Sequence, residues 1–190
     1  MIKFKDAITV RIHDLDFIPV YTNNTKSLTL LITRKQVAKM SSQPPKVGEF
    51  NFMNYIAFVH PVGNNFLIDL DNEIYNNLVT VTMCTGSNKK SQWPNIGAYP
   101  AKIFIPSYAQ LKKISKDLRK AIASDSEYDT LSCTYGDRGD TFGSWCMRPD
   151  SSFYVADWKT LHAVHPAIWI KTDMLRKLSS EVNAYLAKFE

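Results

Sequence analysis

The chain is predicted to fold as an α+β protein with antiparallel strands, and three observations predict it. Apolar residues alternate with polar ones at its start, a capping box followed by an apolar stripe marks a central helix, and a second amphipathic stripe closes it. Its 190 residues, 45% of them hydrophobic and 22% charged, suit one core built without metals or disulfides.

Ile2, Phe4, Ile8, Val10 and Ile12 occupy alternate positions, the period of a half-buried strand, although Ala7 fits neither face. Residues 17–21 and 28–32 read as a hairpin, joined by the polar run Thr22-Asn23-Asn24-Thr25-Lys26. Pro44, Pro45 and Gly48 break the pattern over 43–48, and 50–59 resume as an aromatic-rich strand. Leu67, Leu70, Ile74 and Leu78 stand at helical spacing, with Asp69, Asp71 and Glu73 near the start, where the helix dipole favours carboxylates. Val79, Val81 and Met83 alternate with threonine as a strand would, before a long irregular stretch over 86–100.

Ser107 and Gln110 form the S-x-x-Q capping box that starts a helix after residues 103–105, and Leu111, Ile114, Leu118 and Ile122 make its apolar stripe. The opposite face carries Lys112, Lys113, Lys116, Arg119 and Lys120 against Asp117 alone. Such a face suits phosphate or another polyanion; the plainer reading is a solvated helix surface. Residues 124–171 are rich in glycine, aspartate, serine and tryptophan and are expected to be loops between short strands. In the tail, Leu175, Leu178, Val182, Tyr185 and Phe189 recur every three or four residues, with Thr172 as the cap. That stripe serves either to dock on the chain's own core or to pair protomers. The expected organisation is one domain over 1–171, with 1–60 its strand-rich start, followed by an amphipathic helix over 172–190.

Charge and motifs narrow the function. A net charge of +5 and a pI near 9.0 lean towards anionic partners. No apolar run approaches the ~20 residues of a membrane span, and Met1–Asp6 reads as a strand and not as a secretory signal, so synthesis in the cytoplasm and exit by lysis or a dedicated route are expected. Cys84, Cys133 and Cys146 form no CxxC pair and are read as reduced thiols, a Cys133–Cys146 bridge across a hairpin being the alternative. His13, His60, His162 and His165 lack cysteine or carboxylate partners at ligand spacing, so no metal is expected. With no Walker loop, dinucleotide fingerprint, G-x-S-x-G or HExxH present, neither a cofactor nor catalysis is expected. Arg138-Gly139-Asp140 reads as a tight turn before it reads as an adhesion tripeptide.

Three segments in order carry a resemblance: residues 105–110 leading into the helix, Trp145-Cys146-Met147-Arg148-Pro149, and residues 163–169 ending His165-Pro166-Ala167-Ile168-Trp169. This order resembles an uncharacterised domain family of bacteria and their phages, assigned a C-type-lectin-like fold related to formylglycine-generating enzymes. Ala163 stands where that family has glycine, His165 where it has arginine, and the helix after Thr172 lies beyond the family's usual end. The resemblance implies a C-type-lectin-like domain of mixed or antiparallel strands, two or three short helices and long loops, to which the periodicity of the tail adds a C-terminal helix. It also implies a non-catalytic recognition or structural module, a virion-associated protein of a phage or prophage that decorates a particle or contacts a host surface. Its partners would be protein or glycan surfaces, with copies of itself or other virion proteins in assembly, and nucleic acid ranks lower. Sugar-binding relatives use calcium, but here Asp137, Asp140 and Gln92-Trp93-Pro94-Asn95 give only a broken echo of their motifs. Because aromatics and arginine dominate binding hot spots, the expected contact residues are Trp93, Tyr99, Tyr135, Arg138, Phe142, Tyr154 and Trp158, placed on loops. Two alternatives stand beside this: an intracellular, cytoplasmic binder of nucleic acid through the Lys112–Lys120 face, and an oxidase using Cys133 and Cys146.

Overall fold

A computed structural model describes residues 1–41, 66–84, 98–124, 129–137, 142–157 and 160–189, with backbone alone at 40–41, 82–84, 98–99, 124, 131–137, 142–144 and 157. The opening alternation forms two strands, not one: β1 (Ile2–Lys3) and β2 (Val10–Ile12). Both pair antiparallel with β3 (Leu15–Asn23), through Ile2↔Thr22 and Val10↔Phe17. Between them the Ile8 N–H donates to the Asp6 carbonyl at 2.9 Å, a tight turn centred on Ala7, the residue that broke the alternation. Pro19, which has no N–H to give a ladder, sits where the register of β3 against β4 (Leu28–Thr33) shifts by a bulge. The hairpin turns as expected, through a 3₁₀ turn at Asn24–Lys26 and a left-handed Ser27 with φ of 49°.

The helix expected over 67–78 is divided. A single helical turn at 66–68 ends, and α1 (Asn72–Asn77) starts afresh because Asp71 caps it, accepting the Glu73 N–H at 2.7 Å. The strand expected over 79–83 also divides at Thr80, β6 (Leu78–Val79) and β7 (Val81–Cys84) joining different sheets. Part of the stretch read as irregular is the strand β8 (Ala98–Ala101), paired with β7. β9 (Ile103–Phe104) then leads to Ser107, whose hydroxyl accepts the Gln110 N–H at 3.2 Å while the Gln110 side chain accepts the Ser107 N–H at 2.7 Å, the capping box anticipated. The helix it starts ends early, as α2 (Tyr108–Lys113), and α3 (Lys116–Ser124) follows with Ser115 accepting the Leu118 N–H at 3.4 Å. Leu111, Ile114, Leu118 and Ile122 are all buried, so one stripe serves two helices. The expected break at 43–48 and strand at 50–59 lie outside the described residues.

The region expected to be loops between short strands does hold strands, and they are more numerous and longer than expected. It holds β10 (Thr130–Asp137), β11 (Phe142–Met147), β12 (Phe153–Asp157), β13 (Leu161–Val164) and β14 (Ala167–Lys171). Composition misled here because polar residues alternate with apolar ones along β10, which is how a strand with unlike faces reads. Among the described residues there are three sheets. The first runs β1-β3-β4-β14-β6, with β2 on β3 and β9 on β14; the second runs β12-β11-β10-β13-β5, where β5 is Ala38–Ser41; the third is β7-β8. Pairing is antiparallel throughout except between β10 and β13.

Two segments pass together from the first sheet to the second. β4 pairs with β14, β5 pairs with β13, and the connections are tied by Thr33 N–H to the Pro166 carbonyl at 2.9 Å and Val37 N–H to the Val164 carbonyl at 3.0 Å. His165, fully buried at this crossing, places Nδ1 3.0 Å from the Thr33 carbonyl oxygen. A carbonyl only accepts, so Nδ1 carries the proton and donates.

The tail is two helices, α4 (Thr172–Leu178) and α5 (Ser180–Leu186), then a 3₁₀ turn at Ala187–Phe189. Thr172 is not the cap. Lys171 holds that position without a side-chain bond, and the buried Thr172 hydroxyl lies 3.1 Å from that of Thr29, itself 3.0 Å from that of Thr22. Leu175, Val182 and Leu186 belong to the main core with Phe17, Leu30, Ile168 and Leu118, and Leu178 and Tyr185 pack against it. Tyr185 stacks on Phe4 at 4.6 Å and donates to the Lys3 carbonyl at 3.0 Å. Of the residues proposed for pairing protomers, four are therefore committed to the chain's own core, and Phe189, 55% exposed, is the exception.

Candidate functional site: a cationic ridge on an aromatic base

The face of the second sheet that meets α2 and α3 is aromatic. Tyr108, the first residue of α2, stacks on Trp145 of β11 with ring centroids 4.4 Å apart and meets Phe153 of β12 edge-on at 5.1 Å. Arg119 of α3 lays its guanidinium over Phe153 at 5.1 Å. These contacts hold the two helices against the sheet, while Leu111 and Leu118 continue into the core shared with the first sheet. The Trp145 indole N–H is buried without a hydrogen bond.

Above this base the cations gather. Lys112, Lys113, Lys116 and Lys120 are exposed, and the Lys112 ammonium stands 5.6 Å from the Tyr108 ring. Arg119 departs from the expected polyanion face: it is half-buried, with its Nε enclosed and unbonded, and its role in this arrangement is to cover Phe153. Arg148 joins the group from the β11–β12 turn, exposed, with its guanidinium 4.2 Å from the Tyr154 ring. Since side chains alternate along β12, Phe153 with Arg119 and Tyr154 with Arg148 lie on opposite faces of the sheet's outer strand. Electrostatics bridges the two. Ser152, with its hydroxyl nearby and its amide donating to Oδ1 at 2.8 Å, holds the Asp150 carboxyl below the usual carboxylate range, and Arg148 and Lys116 add to that effect. Helix and turn thus form one cationic surface wrapped around the end of β12.

Tyr154 also ties the strand inward. Its hydroxyl donates to Asp129 Oδ2 at 2.6 Å, and burial, then this bond, push the phenol well above its ordinary range. Of the other expected contact residues, Tyr99, Tyr135 and Phe142 lie in β8, β10 and β11 and not on loops, because regular pairing extends over them: Tyr99↔Met83, Tyr135↔Ser144 and Phe142↔Asp137. Tyr154 likewise lies in β12 opposite Cys146. Trp93, Arg138 and Trp158 lie outside the described residues, as do Asp140 and His60. The proposed cysteine pair is half visible: Cys146 is buried in β11, and the Cys133 side chain falls outside those described. Among the described residues no three histidine, cysteine or acidic side chains are grouped to hold a metal, and no helix is long and apolar enough to cross a membrane. Arg148, the cation that joins turn to helix, was read from sequence only as part of a motif; no spacing signal links it to Lys116, thirty-two positions away.

Comparison with protein-family profiles, with curated proteins and with solved structures found no match to the chain.

Proposed function

We propose that the protein is a non-catalytic recognition or structural module with a C-type-lectin-like fold, carried on the particle of a phage or prophage. The fold class rests on the α+β architecture of mostly antiparallel sheets, and its finer form on the order of the three resembling segments. Those segments now have positions: one starts α2, one ends β11, and one spans the crossing from β13 to β14. The observation that carries a binding role is the rim of β12, where cations stand on aromatic rings that a rigid, doubly tied pair of sheets supports. Rings held by packing lose little freedom on contact with a partner, which favours recognition. The particle assignment is tested by mass spectrometry of purified particles from a host that expresses the gene. Recovery of the chain at constant stoichiometry through successive density gradients supports it; particles free of the chain refute it.

A further inference from the structure

We infer that the ridge formed by α2, α3 and the β11–β12 turn binds the phosphate backbone of nucleic acid without regard to sequence, an inference that rests on the binding role proposed above and names its ligand class. Across the chain 23 lysines and arginines face 18 acidic residues. On the ridge the described cations are Lys112, Lys113, Lys116, Arg119, Lys120 and Arg148, and the described carboxylates near them are Asp117, Asp150 and Asp129, the last accepting from the Tyr154 hydroxyl. Among the described residues the ridge carries more cations than carboxylates, and Asp150 is the carboxylate on which Arg148 and Lys116 both act. Arg11 pairs with Asp16 at 3.0 Å and Lys177 with Glu73 at 3.1 Å, whereas none of the five exposed ridge cations forms an ion pair among the described residues. Like charges brought together by folding repel, and each adds cost until an anion arrives.

Geometry favours a polymer over a single small anion. Lys116 and Lys120 stand one helical turn apart, about 6 Å along the axis, against a phosphate every ~3.4 Å of rise along one strand. Such a row meets roughly every second phosphate, and Arg148 extends it around the end of β12. Three rings stand beside the cations, each half-buried: Tyr108 stacks on Trp145, Phe153 lies under Arg119 and Tyr154 under Arg148, so the cations are seated on aromatic ground at the edge of the ridge.

The test is fluorescence anisotropy of the purified chain with a labelled oligothymidylate and with a labelled duplex of equal length. If four or five phosphates are engaged, affinity falls on the order of a hundredfold between about 50 and 200 mM salt. The variant Lys116→Glu/Lys120→Glu/Arg148→Glu should abolish binding at the higher salt, and Lys116→Gln/Lys120→Gln should flatten the salt slope by about two phosphates' worth while leaving the thermal transition unchanged. Binding insensitive to salt or to these variants overturns the inference, as does equal affinity for polyglutamate of matched charge. A chain that is found in particles but ignores both nucleic acids refutes the ridge and leaves the particle assignment standing; nucleic-acid binding by a chain absent from particles does the reverse.

Discussion

Truncating Leu175 discriminates between the two uses of the tail. Leu175 is fully buried in the core cluster, so Leu175→Ala removes three carbons that lie entirely out of water. At about 0.8 kcal/mol per buried methylene, transfer alone is ~2.4 kcal/mol. The cavity left beside neighbours that relax only partly raises this to about 3–4 kcal/mol, a fall in the folding constant of two to three orders of magnitude. Phe189→Ser, at a position 55% exposed whose ring meets Tyr185 at 5.5 Å, should cost about 1 kcal/mol, well below the loss at Leu175. Urea denaturation of both variants, with light scattering to record mass, reads the difference. If Leu175→Ala left the midpoint unchanged while lowering the mass of an assembly, the stripe would be an interface and its placement in the core would be wrong.

Two further outcomes follow from single residues. Tyr21, buried against the edge of Trp169 at 5.5 Å, has its phenol pushed up from 10.0 to about 12 by burial. Below pH 10 both folded and unfolded chains keep this proton; between pH 10 and 12 the unfolded chain sheds it more readily, so stability falls as the pH rises through that window. Denaturation curves of Tyr21→Phe should lack that increment, and parallel alkaline losses in the two proteins would contradict it. Ser107→Ala removes one arm of a two-armed cap and should cost about 1 kcal/mol, a Tm lower by about 2–4 °C; Ser115→Ala, which loses a single longer bond, should cost less.

What was legible in the sequence was local. The capping box at Ser107, the hairpin across Asn24, and the apolar stripes of both helical regions depend on neighbours within four residues, and each stands where expected. The helix breaks went unread for an instructive reason. The chain leaves helical geometry for two residues at Ile114 and Ser115 and for one at Ser179 before it begins again, and each serine caps the helix that follows, Ser179 accepting the Val182 N–H at 3.3 Å. The apolar stripe continues across both breaks, so periodicity, which records only which residues are buried, cannot see them. Sheet membership was illegible for a different reason. β6 and β7 are separated by Thr80 alone yet belong to different sheets, and that division is set by β14 pairing with Leu78 and Val79 from ninety residues away.

The candidate site was half legible on the same grounds. The lysines of 112–120 lie close in sequence, but what sets them apart from an ordinary solvated face is the arrival of Arg148 from the β11–β12 turn, a product of the second sheet. That sheet is positioned by the paired crossing of β4–β5 and β13–β14, with buried His165 donating to the Thr33 carbonyl at its centre. A buried donor removed from such a crossing leaves an orphaned carbonyl and loosens two strands at once. His165→Ala should therefore cost about 1–3 kcal/mol in urea denaturation, and an unchanged midpoint would show that the crossing does not need that bond.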